Sequence, residues 1–218
     1  MRRRISEYGL FLREFFANYH TTGAVLPSSR FLARALVRFV RAESDGPRRI
    51  LEVGPGTGAV TGRIVAAMRE DDRLDLVELN DRFVAQLRER FETDKVFQPV
   101  ADRARVLHCP VQELPAEDCY DVIISGLPLN NFSAELVEQL LAAMIGLVAP
   151  GGTLSFFEYV AIRRMRAVVS SRSDRDRLRA IDRTMHAALD KHEVARDRIW
   201  PNVPPAWVHH LRVDGDAK

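Results

Sequence analysis

The chain has 218 residues, 46% of them hydrophobic and 28% charged, with a formal net charge of +2. That length supports one sizeable α/β core but not two full domains, and the near-neutral balance excludes the global positive field of a general nucleic-acid binder. Arginine carries nearly all the basic charge, since only Lys95, Lys191 and Lys218 are lysines, while Cys109 and Cys119 have no Cys or His at metal-ligand spacing and are expected to be free thiols in a reducing cytoplasm.

Met1-Arg2-Arg3-Arg4 begins as a secretory leader would, but Glu7, Arg13 and Glu14 interrupt the apolar run such a leader needs, and no signal peptide is expected. No stretch approaches the about 20 apolar residues of a spanning helix; the longest candidate, Leu136 to Val148, contains Glu138 and Gln139. The expectation is a soluble or membrane-peripheral protein. Residues 5–19 place Ile5, Tyr8, Leu12, Phe15, Phe16 and Tyr19 on one helical face, beside Arg2, Arg3, Arg4 and Arg13. An aromatic face with a basic flank suits a helix lying in the interface of an anionic bilayer. Thr21 to Pro27 is a break, after which Ser28 or Ser29 can cap a second helix over about 28–42 carrying Phe31, Leu32, Leu36, Phe39 and Val40. These two helices would form an extension over 1–45, ahead of a domain over 46–218.

From Arg49 the alternation of a parallel α/β fold begins: strand 49–53, helix 58–70, strand 74–79, helix 81–91. Ala104 to Cys109 and Tyr120 to Ser125 read as the third and fourth strands, Ala134 to Val148 as a helix, and Thr153 to Val160 as the fifth strand after the turn Pro150-Gly151-Gly152. A helix of about 20 residues follows, with Leu178, Ile181, Met185, Leu189 and His192 at helical spacing. Arg198 to Trp200 and Trp207 to Val213 can close the chain as a strand pair.

Residues 50–58 read Ile-Leu-Glu-Val-Gly-Pro-Gly-Thr-Gly, and Glu78 stands twenty positions after Gly58 at the end of the second apolar run. A strand running into alternating glycines lets backbone approach a ligand closely, and an acid ending the next strand can accept from both ribose hydroxyls. Gly54, Gly56 and Ala59 fit the dinucleotide fingerprint, so a nicotinamide or flavin cofactor is one reading. Glu52, Gly54, Gly56 and Gly58 fit all four positions of the S-adenosylmethionine (SAM) pattern, which is the fuller match. A carboxylate buried at the end of a first strand needs a partner, and the methionine ammonium of SAM supplies one where a dinucleotide does not. The implied fold is a class I SAM-dependent methyltransferase: a Rossmann-like, seven-stranded, mostly parallel sheet with helices on both faces and two extra N-terminal helices.

Beyond this core the chain resembles the soluble bacterial phospholipid N-methyltransferases that modify phosphatidylethanolamine. The resemblance rests on Thr22-Gly23-Ala24-Val25-Leu26-Pro27-Ser28-Ser29, on Leu51 to Gly58 with Val60-Thr61, on Ser125-Gly126-Leu127-Pro128-Leu129-Asn130, and on Pro204-Pro205-Ala206. Family members commonly end strand five in Phe-Ser-Tyr, where this chain has Phe157-Glu158-Tyr159, so Glu158 is a departure that could change how the acceptor amine is held. The rRNA adenine dimethyltransferases carry a similar glycine loop, but follow strand four with Asn-Leu-Pro and an aromatic; here Gly126 and Leu129 lack the amide and the stacking ring. An RNA methyltransferase of that type and a small-molecule SAM-dependent methyltransferase are the alternatives.

The SAM reading implies Gly54, Gly56, Thr57 and Gly58 beneath the methionine part, Glu52 near its ammonium and Glu78 on the ribose. Leu79, Asn80, Val111 and Gln112 would flank the adenine, with Ser125, Gly126 and Leu127 completing the cofactor site beside Pro128 and Asn130 on the substrate side. Methyl transfer to nitrogen needs positioning, exclusion of water and a neutral amine, so Tyr19, His20, Tyr159 or a water must take the ethanolamine proton. Tyr8, Tyr19 and Tyr159 are candidates to hold a methylated headgroup by cation–π attraction. Arg163 and Arg164 could clamp a lipid phosphate, within a stretch over 161–183 where eight arginines face three aspartates; a solvated helix face is the alternative. The resemblance thus implies methylation of phosphatidylethanolamine towards phosphatidylcholine, with S-adenosylhomocysteine as product, by a cytoplasmic enzyme held peripherally on the inner face of the membrane. No metal and no nucleic-acid partner are expected.

Overall fold

A computed structural model describes residues 29–42, 46–115, 117, 119–129, 132–159, 185–202 and 204–214. The predicted first helix, residues 160–184 and most of the predicted long helix lie outside the described residues. Helix α1 (Arg30–Leu36) is followed in order by β1 (Arg49–Val53), α2 (Thr61–Val65), β2 (Arg73–Val77), α3 (Asp81–Thr93), β3 (Ala104–Leu107), β4 (Tyr120–Ser125), α4 (Ala134–Gly146), β5 (Val148–Tyr159), β6 (Glu193–Ile199) and β7 (Ala206–Arg212). Residues 185–192 are helical and run directly into β6.

The strands form one seven-stranded sheet in the order β3-β2-β1-β4-β5-β7-β6. β1 to β5 are parallel, whereas β7 runs antiparallel to both β5 and β6. Both faces are covered, as a parallel sheet requires. On one face Leu51, Val53 and Ile123 pack with Leu136, Leu140 and Met144 of α4. On the other, Ile50, Leu74, Val122 and Phe157 pack with Leu32 and Leu36 of α1, Ile64 of α2 and Leu87 of α3. A buried ion pair braces the lower end of the sheet: Arg48 donates to Asp72 at 2.8 Å, and the same carboxylate takes the Arg48 and Arg69 backbone amides.

Several element bounds differ from expectation, each for a local reason. Of the two candidate caps, Ser29 accepts from the Leu32 amide, and the helix then tightens into a 3-10 turn over Arg38–Arg41 instead of continuing to 42. The third predicted helix, 58–70, shrinks to five residues. Gly54, Gly56 and Gly58 hold φ of 70°, 55° and 83°, so right-handed helix starts only beyond them, and Asp72 captures the Arg69 amide at the other end. β2 and β3 stop short, at Val77 and Leu107, because Glu78 folds its carboxylate back onto the next two amides and Pro110 leads into a 3-10 turn. β5 begins at Val148, ahead of the predicted Thr153, since Gly151 at φ 77° and Gly152 form an irregularity within the strand. β6 spans seven residues where three were predicted.

Candidate cofactor and acceptor site

β1 sits between β2 and β4. The chain leaving β1 returns through α2 to β2, whereas that leaving β4 returns through α4 to β5 on the opposite side. A crevice opens at the carboxyl ends of such diverging strands. Two loops border it and interlock through backbone. The Gly126 amide donates to Val53 O at 2.8 Å, and a Cβ on Gly126 would lie 2.5 Å from Gly54 O. A Cβ on Gly54 would meet only the mobile end of the Leu127 side chain, but its φ of 70° disfavours a side chain there, so the steric lock between the loops lies at Gly126.

Glu52 is fully buried at the end of β1. Its Oε2 accepts from Thr61 Oγ1 at 2.6 Å, whereas its Oε1 has no hydrogen-bond partner among the described residues. Burial lifts its pKa to about 8, with the Thr61 hydroxyl pulling the other way and Glu78 adding repulsion. Glu78, 2% exposed, accepts from the amides of Leu79 at 2.8 Å, Asn80 at 2.9 Å and Gly56 at 3.1 Å. Burial raises its pKa against those three donors. Each carboxylate oxygen has about two acceptor sites, so Oε2, with one donor, retains room for a ribose hydroxyl.

A cleft beside Glu78 is walled by Leu79, Cys109, Val111, Gln112, Leu127 and Leu140. Gln112 Oε1 is buried there without a hydrogen-bond partner among the described residues. Leu79 and Val111 present the apolar surface expected beside an adenine. Asn80 is committed elsewhere: its side-chain oxygen caps α3, accepting from Arg82 and Phe83. Thr57 is exposed, and its carbonyl receives Arg90 Nη1 at 2.8 Å.

Ser125 is buried with its hydroxyl accepting from the Leu127 amide at 3.3 Å, which shapes the loop after β4. Pro128 is buried, and Leu129 is fully buried in the α4 core, so that loop offers backbone more than side chains to a substrate. Ile124 pairs with Ser155, and Tyr159 stands four residues further along β5, roughly 13 Å past that pair at about 3.3 Å per residue. Its ring is 4% exposed, edge-on to Phe157 at 5.1 Å, in the cluster that includes α1. Burial raises the Tyr159 pKa, so at neutral pH the phenol is a hydrogen-bonding group and not the proton acceptor. Glu158, the departure from the family pattern, points to the opposite face and lies 3.4 Å from His209 Nε2. Tyr8, Tyr19, His20, Asn130, Arg163 and Arg164 lie outside the described residues.

Three participants were not read from sequence. Arg90 ties the glycine loop to α3, bonding Thr57 O while paired with Asp94 at 2.8 Å and lying 3.9 Å over Phe97. His108 falls inside the predicted strand 104–109 but lies just past β3, with Nε2 3.2 Å from Leu79 O and 3.0 Å from Asp81. Cys109, a free thiol, lines the cleft.

The crevice suits SAM on its own geometry. Glu52 offers an unused buried oxygen to the ammonium, Glu78 an acceptor to the ribose, and Gln112 an acceptor to the adenine amine, above a loop open to close approach. Residues 50–152 match the model of a methyltransferase domain. The chain is 32% identical over 151 residues to the ornithine lipid N-methyltransferase of Singulisphaera acidiphila, covering 69% of this chain and 77% of that protein. It is also 32% identical over 103 residues to ribosomal RNA small subunit methyltransferase A of a Synechococcus species, but spans only 35% of it. Among solved structures, the N-methyltransferase NodS from Bradyrhizobium japonicum superposes with a TM-score of 0.59 at 18% identity, over 87% of this chain and 99% of that one. An O-methyltransferase from Bacillus cereus in complex with S-adenosylhomocysteine superposes with a TM-score of 0.60 at 18% identity, over 95% and 90%. These two likenesses concern the fold alone. With an acceptor group for the ammonium, the ribose and the adenine amine, and with the lipid-methylating relative matched over most of its length, the chain belongs to the class I SAM-dependent methyltransferases.

Proposed function

We propose that this enzyme methylates the primary amine of a membrane-lipid headgroup, phosphatidylethanolamine first among them, working from the membrane surface. The observation that carries the reading is the 32% identity over 151 residues to a protein that methylates the nitrogen of ornithine lipid. Ethanolamine and ornithine headgroups share a primary amine, so that match also favours ornithine lipid as a second acceptor.

SAM supplies a methyl group already activated on a sulfonium. What remains for the chain is to hold an amine in line, keep water away and let the amine lose a proton. The loop after β4 presents backbone beside the cofactor crevice, and Tyr159, buried at the end of β5, is the aromatic candidate for the headgroup among the described residues. A phenol oxygen accepts a hydrogen bond from an ammonium, and an aromatic ring stabilises the single positive charge that becomes permanent at the third methyl. Tyr19 and His20 are the remaining chain candidates for the proton, Tyr8 for the headgroup face, Asn130 for the amine and Arg163 with Arg164 for the headgroup anion. Among the described residues no helix is long and apolar enough to cross a membrane, so attachment would be peripheral, through the segment 5–19.

Radiolabelled SAM with vesicles containing phosphatidylethanolamine, vesicles containing ornithine lipid, ribosomal RNA, and free ethanolamine separates the readings. Label in either lipid supports the proposal and identifies the headgroup. Label only in RNA, or only in a small-molecule amine, overturns it.

A further inference from the structure

The groove between α1 and the edge strand β6 is separate from the cofactor crevice, and we propose that it docks the anionic phospholipid headgroups of a bilayer surface. It measures about 420 Å³, and Arg34, Arg38, Arg41 and Arg198 line it against one carboxylate, Asp197. That carboxylate already receives Arg38 at 3.2 Å and His210 at 3.2 Å. Arg34 and Arg41 meet no acid among the described residues, so the groove keeps a net positive charge that an anion would complement.

Two aromatic rings, Phe31 lining the groove and Trp200 between its lining residues Ile199 and Pro201, set the class of anion. Phe31 is 41% exposed and Trp200 62% exposed, the largest aromatic surfaces open among the described residues. Each carries a cation: the Arg30 guanidinium lies 4.8 Å from the Phe31 ring, and that of Arg198 5.2 Å from Trp200. Exposed aromatic rings beside arginines suit a membrane interface, where the ring sits at headgroup depth and the guanidinium meets phosphate. A nucleic-acid surface would instead call for an extended basic stripe, and the chain's net charge is only +2.

The groove also faces the correct way. Ile199 at the end of β6 pairs with Ala206, and Ala206 pairs with Tyr159, so Trp200 follows β6 at the carboxyl edge of the sheet where the crevice opens. A bilayer seated on Phe31 and Trp200 presents its headgroups to that same edge. This deepens the lipid reading and rests on it for the acceptor, while vesicle binding is measured without turnover.

The test is co-sedimentation of the full chain with phosphatidylglycerol-containing vesicles and with pure phosphatidylcholine vesicles. The variants are the triple Arg34→Gln, Arg41→Gln, Arg198→Gln and the single Trp200→Ser, with S-adenosylhomocysteine binding confirming that each is folded. The triple variant is expected to lose about fivefold in affinity per arginine, roughly a hundredfold in all, on anionic vesicles only. Trp200→Ser is expected to remove most of the fluorescence blue shift on binding. Undiminished binding by the triple variant, or a loss of affinity for ribosomal RNA in place of vesicles, overturns the proposal. If the wild type methylates no lipid yet the triple variant still loses vesicle binding, the headgroup reading falls and the groove stands. If lipid is methylated and the triple variant binds vesicles normally, only the groove falls.

Discussion

Glu78 at the end of β2 accepts a hydrogen bond from the Gly56 amide at 3.1 Å, so the carboxylate proposed to hold the cofactor ribose also anchors the glycine loop of β1. Glu78→Ala removes both functions. The expected loss is about 3 kcal/mol, on the order of a hundredfold in S-adenosylhomocysteine affinity by calorimetry. Glu78→Gln should recover little, because its amide nitrogen would face the Gly56 donor or the two donors of Leu79 and Asn80. Unchanged affinity in Glu78→Ala would remove the residue from the site.

Glu52 gives a pH signature. Burial raises its carboxyl to about 8 from an ordinary 4.5. The folded chain therefore holds a proton there that the unfolded chain releases near 4.5, so its contribution to stability is complete below that pH and is lost as pH rises towards 8. Urea unfolding of the ligand-free protein should show this decline between pH 5 and 8, and Glu52→Gln should lack that share of it. A ligand ammonium favours the ionised carboxylate, so S-adenosylhomocysteine affinity should rise over the same interval with uptake of a proton by buffer. Equal pH slopes in wild type and Glu52→Gln would refute the assignment.

Gly126 and Gly56 separate packing from backbone strain. A Cβ on Gly126 would meet the carbonyl oxygen of Gly54, a backbone atom that cannot rotate away, and Gly126→Ala should cost about 2 kcal/mol of stability and most of the cofactor affinity. Gly56 has nothing within 4 Å of a Cβ but holds φ at 55°, so Gly56→Ala should cost about 1 kcal/mol from conformation alone. Thermal unfolding of the two variants, in that order of severity, checks the loop interlock.

The parallel core was legible in sequence because apolar runs such as Val122 to Ile124 are buried on both faces, and because Glu52 and Glu78 fall at strand ends where a carboxylate has few structural reasons to be. β6 was not legible. Its inward positions include Glu193 and Asp197, which are satisfied by His209 at 2.6 Å and His210 at 3.2 Å across the β7 pairing, and its outward positions are Val194, Arg196 and Arg198. No alternation of apolar residues marks such a strand. Arg90 escaped for a related reason: its contact with Thr57 spans 33 positions and exists only once α3 packs beside the loop. Asn80 was read as cofactor-facing although its position before Asp81 equally marks the helix cap that it makes.

His210 supplies an acid-side counterpart to Glu52. It is fully buried, with Nδ1 2.7 Å from Ser155 Oγ and Nε2 3.2 Å from Asp197, which in turn pairs with Arg38 of the turn after α1. A carboxylate only accepts, so Nε2 carries the proton and Nδ1 accepts from the serine hydroxyl. Burial lowers the His210 pKa from its ordinary 6.5, with Asp197 opposing that shift. The unfolded chain then binds a proton near pH 6.5 that the folded chain refuses, and stability should fall as pH drops below 6.5, opposite in sign to the Glu52 contribution. His210→Asn should flatten this acid-side slope while lowering stability at neutral pH by about 1 to 3 kcal/mol, since Ser155 and Asp197 lose a shared partner. Denaturant titrations at pH 5, 6 and 7 on wild type, Glu52→Gln and His210→Asn resolve the two opposing slopes. A His210→Asn profile parallel to wild type would mean that the imidazole charges inside the fold and that Ser155 donates nothing to it.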